Sequence, residues 1–186
     1  MQTVRLKAGV AANDRAAPAA EFLAANGVLQ IDDPEIRRMA AEARGDLTDP
    51  VQVALALERF VRKTVALKDM TQAFATAAEV ARSRQGDCTE HAVLLAALAR
   101  ACGIPSRVAI GLVYVERSAG FGFHMWTEVF LNGEWVALDG TLGQGGIAAA
   151  HLKLNDSSLD GATTYSAFLP VAQVVGQLKI DVVEAE

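Results

Sequence analysis

Cys88 follows Gly86-Asp87 and opens the run "CTEHAVLLAALARAC", which ends at Cys102, the other cysteine of this 186-residue chain. The run is apolar almost all round from Ala92 to Ala99 and reads as one buried helix over about Cys88–Cys102. Gly103 and Pro105 supply its stop. A helix rises about 1.5 Å per residue, which would set the two cysteine α-carbons roughly 21 Å apart. A disulfide needs less than about 7 Å, so the two do not pair. Cys88 instead occupies the first helical turn, where free N–H groups and the helix dipole favour an anion. A lowered thiol pKa and a nucleophilic role are expected there. Cys102, at the opposite end, is expected to be a small buried hydrophobe. A zinc site from Cys88, His91 and Cys102 fails on the same distance.

A thiol nucleophile needs a base, and the chain offers three histidines. His91 shares a helix face with Cys88 but has no group placed to orient it, so a structural role is expected. His151 falls in "HLKLND", a segment that the pattern does not place securely. His124, in "FHMWTEVF", has neighbours that can be counted. Asn132-Gly133 between two alternating runs is a strong hairpin signal. A two-residue turn there pairs Leu131 with Glu134, Phe130 with Trp135 and Trp126 with Asp139. His124, Trp126, Trp135 and Asp139 then share one sheet face, and Asp139 is the diagonal neighbour of His124. A slip of one residue would separate them. The register therefore predicts a His–Asp pair, able to fix the imidazole tautomer and stabilise the imidazolium. Both tryptophans are expected to line that face and shield the pair.

The elements that must position these groups are legible in outline. Residues 2–10 alternate as an edge strand would, and the Ala/Pro-rich stretch up to residue 20 reads as a linker. Asp33-Pro34 and Asp49-Pro50 are paired helix starts, opening "PEIRRMAAEAR" and "PVQVALALERFVRKT"; the second carries an apolar stripe of Val53, Leu57, Phe60 and Val61. Thr76 and Glu79 have capping-box spacing. After the Cys88 helix the pattern turns to strands at 106–115, 123–130 and 134–139. Another strand is expected at 151–156, a helix over 162–176 weakened by Pro170, and a closing strand over 177–183. Helices gathered before antiparallel strands indicate an α+β fold, read as one domain over residues 1–186. A net charge of −5 argues against a nucleic-acid surface. No run is long and apolar enough to span a membrane. Residues 1–20 show no signal-peptide pattern, and the start is compatible with a cut inside a longer protein, so localisation and oligomeric state stay open.

The blocks "GDCTEHAVLLAALARACGIPSRVAIGLVY" and "HMWTEVFLNGEWVALDGT", in this order, resemble the transglutaminase-like family, best over residues 76–142. The resemblance implies a papain-like core, with Cys88 as nucleophile at a helix N-terminus, His124 as base and Asp139 as its orienter. Met125 and Gly140 depart from the family's usual small residue and proline. Transglutaminases proper also carry a tryptophan upstream of the cysteine to help stabilise the oxyanion. Residues 1–87 contain none, which leaves Gln72, the Cys88 backbone N–H and Trp126 as candidates for oxyanion or substrate contacts. The expected activity is thiol-dependent acyl transfer at an amide, foremost hydrolysis of a peptide or isopeptide bond in a peptide or protein substrate, without cofactor or metal. The alternatives are a transglutaminase with an amine acceptor and a non-catalytic peptide-binding module that keeps the fold.

Overall fold

The computed structural model describes residues 17–67, 74–147, 150–161 and 163–174, together with Gln177 and Ile180. The expected strand at 2–10 and most of the linker lie outside them. So does most of the expected strand at 177–183, and neither Gln177 nor Ile180 is in a strand.

Both Asp-Pro starts behave as their chemistry requires. Helix α1 (Pro34–Arg44) begins where the Asp33 carboxylate accepts the Glu35 N–H at 2.9 Å. Helix α2 (Pro50–Thr64) begins where Asp49 accepts the Gln52 N–H at 2.9 Å. Proline at the first position lacks an N–H that would be unsatisfied there anyway. Strand β1 (Ala66–Leu67) pairs in parallel with β2 (Gln85–Gly86), a small clamp that the sequence pattern did not suggest. Between them stands α3 (Ala77–Ser83), closed by the expected Thr76–Glu79 capping box. Helix α4 (Cys88–Ala101) follows at once. No residue from Ala92 to Ala99 is more than 1% exposed, because α1, α2 and α3 surround α4 on one side and a sheet closes the other.

That sheet comprises β3 (Ser106–Val115), β4 (Gly120–Leu131), β5 (Glu134–Leu138) and β6 (His151–Ser157), antiparallel in the order β5-β4-β3-β6. The segment expected as one helix over 162–176 is two short ones, α5 (Thr163–Ser166) and α6 (Leu169–Val174). Pro170 stands in the first turn of α6, where a missing N–H costs nothing.

The hairpin keeps the expected register from Leu131↔Glu134 to Thr127↔Leu138. Asn132 and Gly133 both have positive φ, +53° and +86°, which is the two-residue turn whose twist suits a hairpin. On one face of β4, Met125 and Val129 enter the core and the Thr127 hydroxyl donates to the Ala92 carbonyl of α4 at 2.9 Å. His124, Trp126, Glu128 and Phe130 alternate to the other face. Trp135 shares that face but not the neighbourhood of His124. Its ring lies against Phe22 (5.2 Å between centroids) and Phe130 (5.4 Å), with the Arg107 guanidinium 4.1 Å above it. The expectation that Trp135 shields the His–Asp pair is therefore corrected: the hairpin fixes a face, while position along the strand keeps Trp135 at the turn end.

Strand β6 carries the decisive irregularity. Its pairing runs Val108↔Ser157, Ala109↔Asp156, Ile110↔Asn155, then shifts so that Gly111 opposes Lys153 and Val113 opposes His151. One residue, Leu154, is extra. Such a bulge re-aims the side chains beyond it, and here it turns His151 onto the face that bears His124, since both strands flank Gly111. A β-carbon at Gly111 would collide with the Leu152 carbonyl oxygen, so the bulge depends on that glycine. Gly111→Ala is expected to cost about 1–3 kcal/mol in stability, read as a lowered denaturant midpoint. Gly27→Ala, where a β-carbon meets nothing within 4 Å, should leave the midpoint near its parent value. Equal effects from the two would disprove the close approach.

Candidate active site

The N-terminus of α4 is held by a reciprocal capping box. The Asp87 carboxylate accepts the Thr89 N–H at 2.8 Å and also the Glu90 N–H, and the Glu90 carboxylate accepts the Asp87 N–H at 2.9 Å. Of the first-turn donors, this leaves the Cys88 N–H uncommitted by the box. The Cys88 side chain is 8% exposed. Burial pushes its thiol up to about 11; a hydrogen bond from the Met125 N–H opposes this, and the nearby Asp87 charge adds to it. The expected lowering is thus corrected. A helix buried on every side takes its first residue out of water as well, and desolvation of a thiolate outweighs the dipole.

The Met125 N–H is available for a simple reason. Strand β5 ends at Leu138, opposite Thr127, so among the described residues no strand lies beside the edge of β4 from Gly120 to Trp126 on that side. The residue before Met125 is His124, and the chain leaving β5 passes this bare edge as Asp139. There the His124 Nε2 lies 2.6 Å from Asp139 Oδ2, with His124 6% and Asp139 0% exposed. The predicted His–Asp pair exists.

Asp139 is satisfied on every polar atom. Its Oδ1 accepts the N–H groups of Thr141 (2.8 Å) and Leu142 (3.2 Å), and its own N–H donates to Glu58 Oε1 at 2.9 Å. His151 Nε2 lies 3.1 Å from the same Oδ2. Burial by itself would raise this carboxyl, but the hydrogen bonds from His124 and His151 and the Thr141 N–H hold it well below the usual carboxylate range. An ionised carboxylate only accepts, so both imidazoles donate through Nε2. His124 Nδ1 is then left with a lone pair, which makes it the basic atom. Trp126 braces both rings, stacked on His124 at 6.2 Å between centroids and edge-on to His151 at 5.3 Å.

Two of these participants were not read from the sequence. His151 depends on the β6 bulge, which alternation does not reveal. Glu58 does carry a signal in the sequence: it falls on the apolar side of α2, four residues after Ala54, and it is fully buried. Besides Asp139 it accepts the N–H groups of Gly145 (2.8 Å) and Gly146 (3.3 Å), tying the loop after β5 to α2. Burial raises its pKa against those three hydrogen bonds, and the Asp139 charge raises it further. His91 is buried inside the helix packing with Nδ1 2.6 Å from the Asp87 carbonyl, in keeping with a structural role. Cys102 is half-buried, its Sγ 3.8 Å from the Ala40 carbonyl. Gln72 lies outside the described residues.

The sequence profile of the transglutaminase-like superfamily matches residues 37–140, more than half of the chain. The chain belongs to that superfamily. A candidate cysteine protease from Cytophaga hutchinsonii superposes with a TM-score of 0.65 at 23% identity, covering 76% of this chain and 48% of its own. The periplasmic domain of TgpA from Pseudomonas aeruginosa aligns at 25% identity over 59% of this chain and 43% of its own, with a TM-score of 0.47. This chain thus spans about half the length of either structure or less. No curated protein matches it. The first superposition supports the α+β fold of helices on an antiparallel sheet expected from the superfamily.

A stability test follows from the Asp139 contacts. Its folded pKa lies below the unfolded value of about 3.9, so its contribution is fully present above that value and is lost as pH falls through the folded pKa. Asp139→Asn should cost about 2 kcal/mol at neutral pH, with the difference from the parent shrinking under strong acid. Denaturant midpoints across a pH series would show a constant gap if the carboxylate charge had no role.

Proposed function

We propose that this chain is a thiol acyl-transfer enzyme acting on an amide bond, with Cys88 as nucleophile, His124 as base and Asp139 as the group that orients and charges the base. The observation that carries this reading is the buried His124–Asp139 hydrogen bond, on a bare strand edge whose next N–H holds the Cys88 thiol. His124 Nδ1 takes the thiol proton as sulfur bonds to the substrate carbonyl carbon. The resulting imidazolium is stabilised by Asp139, as in other triads. The Cys88 N–H stands at a helix N-terminus as oxyanion donor. His124 then gives its proton to the departing amine nitrogen, the C–N bond breaks, and a thioester remains. Water, deprotonated by the same imidazole, resolves it to acid and free thiol. Hydrolysis of a peptide or isopeptide bond is the preferred outcome, with an amine in place of water giving transamidation.

A thiol near pKa 11 is ionised in roughly one molecule in 10,000 at pH 7. A thiol that is mostly neutral at rest suits catalysis by proton transfer in the transition state rather than from a preformed ion pair. The same value is what favours the second reading, a peptide-binding module with a dormant thiol.

The two separate on labelling. Cys88 should be alkylated by iodoacetamide faster than Cys102 at pH 7, and His124→Ala should slow Cys88 by roughly 100-fold while leaving Cys102 unchanged. An activated peptide ester should leave a Cys88-linked acyl adduct visible by mass spectrometry, and added amine should divert the product if transamidation competes. Equal alkylation rates and no adduct would leave the binding module.

A further inference from the structure

We infer that His124, Asp139 and His151 form a binding site for a divalent zinc-type ion, and that the ion's occupancy silences the thiol chemistry. Binding is argued from the three side chains alone; only the silencing rests on the acyl-transfer reading above.

The three ligand atoms, one from each residue, lie within 4.8 Å of one another. Both Nε2 atoms already converge on Asp139 Oδ2, at 2.6 and 3.1 Å. Zinc–nitrogen and zinc–oxygen bonds are about 2.0–2.2 Å long, which sets neighbouring ligand atoms of a tetrahedral site roughly 3.3 Å apart. The two imidazole–carboxylate pairs therefore need shifts of less than about an ångström, and the widest pair a closure of up to about 1.5 Å, to seat an ion. Two imidazoles with one carboxylate suit zinc and its first-row neighbours, whereas calcium and magnesium call for oxygen ligands.

The surroundings hold the ligands as an outer shell should. Asp139 Oδ1 is committed to the Thr141 and Leu142 N–H groups, which leaves Oδ2 to face the ion. The Asp139 backbone is tied to Glu58, and Trp126 packs on both rings. The third ligand arrives by the β6 bulge, and His151 lies beyond the segment that matches the superfamily.

The consequence for His124 is one of proton bookkeeping. Its Nε2 carries hydrogen in the Asp139-bonded form, and metal coordination requires the lone pair there. The proton moves to Nδ1, so the imidazole stays neutral but its basic atom is lost; the Nε2 hydrogen of His151 likewise moves to its own Nδ1 or leaves to water. A His124 protonated on Nδ1 and ligated on Nε2 cannot accept the Cys88 proton.

The experiment uses the full chain carrying Cys88→Ala, which removes the thiol as a competing ligand. Calorimetric titration with Zn²⁺ should give one ion per chain, and adding His151→Gln should weaken binding by roughly tenfold or more. In the chain without the His151 substitution, ¹⁵N spectra of the imidazoles should show the Nε2 resonances of both His124 and His151 moving with zinc while those of His91 stay fixed. Absence of saturable binding, binding lost with Cys88→Ala, unchanged affinity in His151→Gln, or shifts confined to one imidazole would each overturn the site. Zinc binding by Cys88→Ala, in a protein whose parent forms no acyl adduct, would keep the site and discard the acyl-transfer reading. An adduct without zinc binding would do the reverse.

Discussion

Asp139 is a carboxylate removed from water, and a buried charge is tolerated only when its hydrogen-bonding capacity is filled. Its partners come from four places: the turn that follows β5, the histidine of β4, the histidine of β6, and Glu58 of α2, which takes its backbone N–H. Each partner fixes the element that carries it. The loop after β5 cannot drift without releasing Glu58 from Asp139, Gly145 and Gly146. Strand β6 cannot regularise its pairing without carrying His151 off the His124 face. The geometry around His124 is thus largely the solution to one electrostatic problem, and the low pKa of Asp139 expresses how fully it is solved.

The thiol faces the opposite balance. Helix α4 is the centre of the core, so its N-terminus combines two influences that act against each other on a cysteine. The helix start favours a thiolate, while burial among apolar side chains disfavours any charge. Burial prevails, and the Met125 N–H from the bare edge of β4 offsets only part of it. A thiol kept neutral at rest carries little thiolate, the form that reacts with alkylating agents and oxidants.

The remaining polar clusters serve alignment. On the His124 face, Arg107 pairs with Glu128 at 2.7 Å and Asp156 at 3.3 Å, and Lys153 pairs with the same two acids at 2.7 and 2.8 Å. These contacts cross β3, β4 and β6 and span the bulge, with Lys153 on the His151 side of Leu154 and Asp156 on the other. Arg100, at the end of α4, is 2% exposed and donates to the carbonyls of Ala24, Ser106 and Ser158. Burial lowers it to about 10. It stitches the segment before α1 and the end of β6 to the central helix.

The sequence alone determined what local physics controls. Asp-Pro pairs start α1 and α2, a capping box starts α3, and an all-round apolar run makes α4. Asn132-Gly133 fixes the register that brings His124 and Asp139 together. Each of these is decided within a few residues, by φ restriction, by an orphan N–H or by strand alternation. What the tertiary structure decided is everything that depends on the environment of a side chain rather than its neighbours in sequence. The thiol of Cys88 has a raised pKa because three helices and a sheet close over it, and Trp135 lies away from the His–Asp pair because a strand fixes distance as well as face. Glu58 is a ligand to backbone N–H groups about eighty residues later, and no spacing rule reaches that far. His151 enters the site through a single extra residue in β6, accommodated because Gly111 has no β-carbon. A bulge inverts the face of every residue beyond it, and the cause lies on the partner strand.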